Sequence, residues 1–284
     1  ITYVGLNHLS WITSVKKDGK ELIDDMLAQG FSTKVMANIK DDGFSLDCLN
    51  AVRGIPSSYL QYYYCRDAKL KHQKEDEKCR ARVCMEIEEE LLEMYSDETL
   101  VTKPALLDQR GGHKYSLAAV SLIDSIANDK RDVQIVNIKN NGTVDFMDDD
   151  DVLEIAAVIG KDGAEPVAID KVDNRHIIGL MRVVKAYEKY TVEAATTGSE
   201  AAAINALLVH PLVGDWEKAH KCFEEMKWAH KAYLPELFPN HDAYVNVYGE
   251  YETNVMEQIK SFPSIITDKT FISHFIQRHV EDCY

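Results

Sequence analysis

Over residues 1 to 18, apolar and polar positions alternate closely enough to form one or two β-strands, ended by the polar turn Lys16-Lys17-Asp18-Gly19. The period then changes. Leu22, Ile23, Met26 and Leu27 recur at helical spacing between Glu21 and Gln29, and Gly30 is placed as a C-cap. A second short helix is predicted from Leu46 to Val52, stopped by Gly54 and Pro56, and it leads into the aromatic cluster Ser57-Ser58-Tyr59-Leu60-Gln61-Tyr62-Tyr63-Tyr64. Mixed charges flank that cluster, which favours core or interface packing over a platform for stacked bases. From Asp67 to Tyr95 the pattern is helical and highly charged, with Val83, Ile87, Leu91, Leu92 and Met94 on its later apolar face and Glu86 to Glu93 on a solvated one. Pro104 breaks the pattern. After the stretch Arg110-Gly111-Gly112-His113-Lys114-Tyr115-Ser116, the recurrence of Leu117, Val120, Ile123 and Ile126 at threes predicts a buried helix reaching about Asn128.

The middle of the chain reads as strand and turn. Val133 to Ile138 is a β-branched strand, Asn140-Asn141-Gly142 a turn, Thr143 to Phe146 a short extended piece, and Val152 to Ile159 a further strand before Lys161-Asp162-Gly163. Helices return after Asn174. Ile177, Leu180, Met181, Val184, Tyr187, Val192 and Ala195 build a long one ending at Gly198; Ser199 opens another over Glu200 to Leu208, closed by His210-Pro211; Trp216 to Tyr233 gives a third. Residues 241 to 284 are aromatic-rich, with a further helix expected around Phe271 to Val280. No repeat, low-complexity linker or boundary interrupts the run, so residues 1 to 284 are expected to form one α+β domain.

Composition narrows the function classes. With 45% hydrophobic and 28% charged residues the chain is an ordinary globular one, and its formal charge of -15 argues against nucleic acid or an anionic membrane as the main partner. An anionic substrate would have to be met by local cations. No apolar run approaches the roughly 20 residues needed to span a bilayer, and no secretory leader opens the chain, so a cytoplasmic location is expected. The six cysteines, Cys48, Cys65, Cys79, Cys84, Cys222 and Cys283, include no CxxC pair and read as reduced thiols. Asn141-Gly142-Thr143 fits a glycosylation sequon that a cytosolic protein would not use.

Three stretches carry candidate chemistry. His8, inside Val4-Gly5-Leu6-Asn7-His8-Leu9-Ser10-Trp11, is either a metal ligand at a strand end or a core histidine with a satisfied hydrogen bond, since ligands come in sets and no second one lies nearby. Around Arg110-Gly111-Gly112, two glycines permit close backbone approach, Arg110 and Lys114 bring positive charge, and Tyr115 puts a phenol where a helix begins. That is either an anion-and-proton site or a glycine turn over a packed aromatic. Asp148 to Asp151 lack the spaced ligands and turn glycine of a calcium loop and read as a solvated connection.

Taken in order, Gly5-Leu6-Asn7-His8-Leu9-Ser10-Trp11, Arg110-Gly111-Gly112-His113-Lys114-Tyr115-Ser116, Asn140-Asn141-Gly142 and Ala206-Leu207-Leu208-Val209-His210-Pro211-Leu212-Val213 resemble the carboxy-terminal half of family 4 glycoside hydrolases, closest to the 6-phospho-β-glucosidase branch. The resemblance covers roughly residues 1 to 240 and leaves the tail at 241 to 284 outside it. It implies a fold like the carboxy-terminal domain of lactate and malate dehydrogenases, with helices packed on a small, mostly antiparallel sheet. It also implies hydrolysis without the usual carboxylate pair. In the family NAD+ oxidises C3 of a 6-phosphosugar, a divalent metal, usually Mn2+, polarises that centre, and a tyrosine removes the C2 proton. The aglycone leaves by elimination, water adds, and the hydride returns. Carried onto this sequence, the resemblance makes His8 a metal ligand with its other nitrogen pinned by a neighbour, Tyr115 the base, and Asn7 and Arg110 substrate contacts. His113 and Lys114 fall where the motif varies.

The family's Gly-rich dinucleotide turn and its Cys-Asn metal ligand are not among these residues, and Cys48 stands before Leu49. The expectation is therefore the carboxy-terminal substrate and oligomerisation domain of a longer enzyme. On its own it would be inactive and without NAD+ or metal; its partners would be the amino-terminal dinucleotide-binding domain, a phosphorylated disaccharide or 6-phospho-β-glucoside, and further copies of itself. Two other readings remain: an NAD-dependent 2-hydroxy-acid dehydrogenase-like domain, told apart by net NADH accumulation, and a non-catalytic helical interaction domain.

Overall fold

The structure, a computed structural model, describes residues 1–29, 44–110 and 115–234. Expectations for Gly30, for Gly111 to Lys114 and for the helix near 271 to 280 lie outside the described residues.

The opening alternation folds as β1 (Thr2–Leu6) and β2 (Leu9–Ser14), an antiparallel hairpin in which Leu6 pairs with Leu9. The polar turn forms a second, two-stranded hairpin, β3 (Lys16–Lys17) with β4 (Lys20–Glu21), before α1 (Ile23–Gln29). The predicted second helix is α2 (Leu46–Val52), capped by the Ser45 side chain, which accepts from the Cys48 N–H. β5 (Ile55–Pro56) and a 3₁₀ turn at Ser58–Leu60 lead to α3 (Gln61–Tyr64), α4 (Arg66–Glu75) and α5 (Arg80–Tyr95). The single charged helix expected over Asp67 to Tyr95 is thus two. The chain turns extended at Asp76, where no Gly or Pro announces a break.

Next come α6 (Leu107–Arg110) and α7 (Tyr115–Ala127), then β6 (Asp132–Lys139), β7 (Val152–Gly160) and β8 (Gly163–Pro166). The piece expected to be extended at Thr143 to Phe146 is instead a run of turns wrapped around Asn140. That fully buried amide donates to the carbonyls of Val144, Met147 and Asp148 and accepts from the Val144 N–H. Short-range hydrogen bonds outcompeted strand pairing there. α8 (Arg175–Thr197), α9 (Glu200–Val209) and α10 (Trp216–Ala229) follow the predicted spacing, with a 3₁₀ turn at Lys231–Tyr233 in place of the last helical turn.

One six-stranded sheet, ordered β5-β2-β1-β7-β6 with β8 also on β7, pairs antiparallel throughout. The α+β expectation holds. Cross-strand partners share a face, so the register puts Val4, Trp11 and Ile155 on one side of the sheet, and all three are fully buried. Leu153, Ala157 and Ile159 continue that side along β7. At Gly54 the backbone runs close to Ile177 of α8 and to Trp11: a Cβ built there would lie 3.6 and 3.7 Å from them, at ordinary contact distance. A smaller cluster of Ile23, Leu27 and Leu49 packs with Ile12, Val15, Phe44 and Ile55. The chain's contacts gather into two compact units, Ile1–Lys185 and Ala186–Tyr284, which divide within the continuous helix α8. In the second unit the buried ammonium of Lys227 on α10 pairs with Glu200 at the start of α9.

Candidate active site

Asn7 and His8 form the two-residue tip between the paired Leu6 and Leu9, and both are exposed. Asn7 sits at φ 49°, a left-handed conformation that Asn tolerates better than most side chains. Gly5 is required one pair down the hairpin: a Cβ there would lie 2.3 Å from the Ser10 Cβ and 2.6 Å from the Leu9 carbonyl oxygen, so the strands could not stay in register. Beneath the tip the Tyr3 hydroxyl stands 2.6 Å from Ser10 Oγ and 3.1 Å from Glu154 Oε2. Burial, opposed by the Ser10 hydrogen bond, pushes the Tyr3 phenol up to about 12; burial also raises the Glu154 carboxyl.

The His8 imidazole stacks on the Tyr59 ring at 4.3 Å, with only 16° between the planes. Its neighbour is placed by strand pairing. Pro56 of β5 pairs with Trp11, the Ser57 N–H donates to the Ser10 carbonyl at 2.8 Å, and the Ser57 hydroxyl accepts from the Tyr59 N–H, so the 3₁₀ turn brings Tyr59 to the tip. Partial burial lowers the His8 pKa, which favours the neutral ring. Neither ring nitrogen has a hydrogen bond among the described residues, so the expected pinning of one nitrogen is not met there. A neutral imidazole with free nitrogens at an exposed tip fits a metal ligand, and His8 is the residue here that would hold one. Further along the same segment, Trp11 Nε1 donates to the Tyr64 hydroxyl at 3.0 Å, and that hydroxyl lies 2.9 Å from His176 Nε2. Burial raises the Tyr64 phenol to about 12.

Arg110 ends α6 and Tyr115 opens α7, to either side of residues 111 to 114. The Arg110 guanidinium lies 3.6 Å from Glu88 of α5, and its carbonyl accepts from Arg80. Tyr115 opens α7 with an exposed ring and makes no hydrogen bond among the described residues. No described contact joins Arg110 or Tyr115 to His8. The structure therefore brings Asn7, His8 and Tyr59 together. Sequence reasoning had placed Tyr59 in a packing cluster, and four tyrosines within six residues offered no signal to single it out. Oxygens of Asp148, Asp150 and Asp151 lie within 4.8 Å of one another, but the Asp151 carboxylate accepts from the Asp148 N–H, as a loop-forming group does.

The small antiparallel sheet packed with helices matches a known architecture. The C-terminal domain of the family 4 glycosyl hydrolases covers residues 3–213, and the chain belongs to that family. It is 37% identical over 249 residues to a probable 6-phospho-beta-glucosidase of Bacillus subtilis, covering 86% of this chain and 56% of that protein. To the 6-phospho-beta-glucosidase of Thermotoga maritima it is 36% identical, over 82% of this chain and 55% of that one. A solved structure of the Thermotoga enzyme with manganese, NAD+ and glucose-6-phosphate superposes with a TM-score of 0.70 at 35% identity, covering 82% of this chain and 54% of that one. The chain thus spans about half the length of the curated relatives it matches.

Proposed function

We propose that this chain is the substrate-binding, carboxy-terminal part of a 6-phospho-β-glucosidase that works with NAD+ and a divalent metal, as its relatives' bound ligands suggest. The observation that carries the reading is His8: an imidazole exposed at a two-residue tip, its pKa lowered by partial burial, with no hydrogen bond to either nitrogen among the described residues. His8 would hold the metal, Asn7 beside it would contact the sugar, and Arg110 would meet the phosphate in an otherwise acidic chain. A divalent ion held there would polarise the oxidised C3 centre and so acidify the proton on the neighbouring C2. The chain would act in the cytoplasm, as a homo-oligomer, and be inactive without the dinucleotide-binding part.

Two tyrosines compete for the base. Tyr115 has the motif, and Tyr59 is the tyrosine stacked on His8. A base must come within hydrogen-bond reach of its proton, near the metal ligand, and the stack on His8 favours Tyr59 as a second reading. The test is the full-length protein with NAD+, Mn2+ and a chromogenic 6-phospho-β-glucoside. Chromophore release without net NADH is expected; net NADH accumulation would mean a simple dehydrogenase. Whichever of Tyr115→Phe and Tyr59→Phe carries the base should lower kcat by about 10² to 10⁴. Full activity in Tyr115→Phe removes that assignment.

A further inference from the structure

The hairpin that carries Asn7 and His8 is joined to the rest of the sheet by short ladders. β1 pairs with β7 at two positions, Val4 with Ile155 and Gly5 with Glu154, and β2 pairs with β5 at two, Trp11 with Pro56 and Ile12 with Ile55. Gly5 also pairs with Ser10, so Ser10, Gly5 and Glu154 form one row across β2, β1 and β7, with only the Leu6 and Leu9 pair between that row and the tip. Tyr3 stands two residues before Gly5 and shares its face of the sheet. The Tyr3 hydroxyl reaches both ends of the row, 2.6 Å from Ser10 Oγ and 3.1 Å from Glu154 Oε2, which takes the phenol along the strand past Gly5, where no side chain obstructs it. Ser10 is buried and Glu154 half-buried, so both polar groups need partners within the protein. Among the described residues, Tyr3 is the side chain that bonds each of them.

We propose that Tyr3, through Ser10 and Glu154, is a positioning residue for the metal ligand His8. Two pairs on either side leave the angle at which the hairpin leaves the sheet loosely set by backbone pairing. The stack of His8 on Tyr59 depends on that angle, because Tyr59 belongs to the segment after β5 and not to the hairpin. A metal ligand has to be held to within about 0.5 Å of its working place by the groups behind it. The bridge does this without touching the ion. Its hydrogens also have a direction: the phenol, pushed up to about 12, keeps its proton, and a carboxylate only accepts. With Glu154 ionised, Ser10 therefore donates to the Tyr3 oxygen and Tyr3 donates to Glu154, so one hydroxyl ties three strands at the row where the β1 and β7 ladder ends. An apolar pair would join the same strands without desolvating a carboxyl, but it would not fix a direction.

The role rests on His8 as a metal ligand, and Mn2+ binding to the full-length protein with NAD+, followed by loss of the free-ion electron paramagnetic resonance signal, separates the two. His8→Ala should weaken binding; parent affinity in that variant removes the ligand reading and the positioning role with it. Tyr3→Phe keeps the ring and loses the hydroxyl. It should raise the Kd for Mn2+ about tenfold and lower kcat, with the far-UV circular dichroism of the parent. Glu154→Leu should do the same, Glu154→Gln, whose amide oxygen still accepts, should stay close to the parent, and Tyr3→Phe should add nothing to Glu154→Leu. If His8→Ala weakens binding while Tyr3→Phe keeps the parent Kd and kcat, even at a lower thermal midpoint, the bridge is only structural and the proposal is overturned with the ligand reading intact. Effects of Tyr3→Phe and Glu154→Leu that multiply overturn it as well, since two residues acting through one hydrogen bond cannot act independently. Should Tyr3→Phe fail to fold, the contrast at Glu154 decides: a Gln variant as weak as the Leu variant overturns the proposal.

Discussion

At the tip of the first hairpin, backbone conformation and chemistry fall on adjacent residues. A left-handed φ costs an ordinary L-residue about 1 to 2 kcal/mol, less for Asn and nothing for Gly. Asn7→Ala is therefore expected to lower stability by about 1 kcal/mol in denaturant titration, while Asn7→Gly should leave it unchanged. If the carboxamide also touches the sugar, both substitutions raise KM in the full-length enzyme; a Gly variant with the parent KM would reduce Asn7 to a turn residue. Gly5 answers to sterics alone. Because its missing Cβ would strike backbone and Cβ of the facing strand, Gly5→Ala should cost on the order of 2 kcal/mol or more and displace His8 with it, seen as lower stability and weaker Mn2+ dependence together. The hairpin and its His8 were legible because alternation and a short polar interruption are local signals. The neighbour Tyr59 was not, because its position follows from β5 pairing with β2, a contact between segments far apart in sequence that no local pattern encodes.

At the scale of elements, the junction from β4 into α1 is set by one carboxylate. Glu21 accepts from the Ser14 hydroxyl and from the N–H groups of Val15, Leu22 and Ile23, and those bonds hold it down to about 2. The folded chain binds fewer protons at this site than the unfolded one, so the contribution is complete above pH 4.5 and is lost as pH falls toward 2. Glu21→Gln should thus be less stable than the parent at pH 6, with the difference shrinking steadily between pH 4.5 and 2. A pH-independent difference would mean that the amide loses only packing. Most helices were readable from their apolar spacing, and α8 with Ile177, Leu180, Met181 and Val184 is the clearest case. The spacing of α7 was read equally well as a helix but given the wrong environment: Leu117, Val120 and Ile123 are exposed among the described residues, and recurrence at threes marks an apolar stripe without encoding what it faces. The break between α4 and α5 was invisible for a plainer reason, since Asp76 to Cys79 contain no residue that stops a helix by itself.

At the scale of the whole chain, its acidity and its core divide the work. The excess of carboxylates restricts where copies and anionic ligands can approach, whereas stability comes from the buried side of the sheet, where Val4, Trp11, Leu153, Ile155 and Ala157 are all fully enclosed together with Ile177 and Met181 of α8. The division into two units within α8 left no mark in the sequence, because a helix that serves both sides needs no change of pattern where it passes from one to the other. Met181 tests how tightly α8 and the sheet are joined within the first unit. It is completely buried in the part of α8 that belongs to the first unit, so Met181→Ala should cost about 2 to 5 kcal/mol by lost transfer energy and residual cavity. If that unit unfolds cooperatively, the denaturant midpoint should fall with its slope unchanged when followed by the fluorescence of Trp11, which lies in the same core. A lowered slope, or a Trp11 signal that ignores the substitution, would mean that α8 can loosen without the sheet, and that the hairpin carrying His8 draws its rigidity from strand pairing alone.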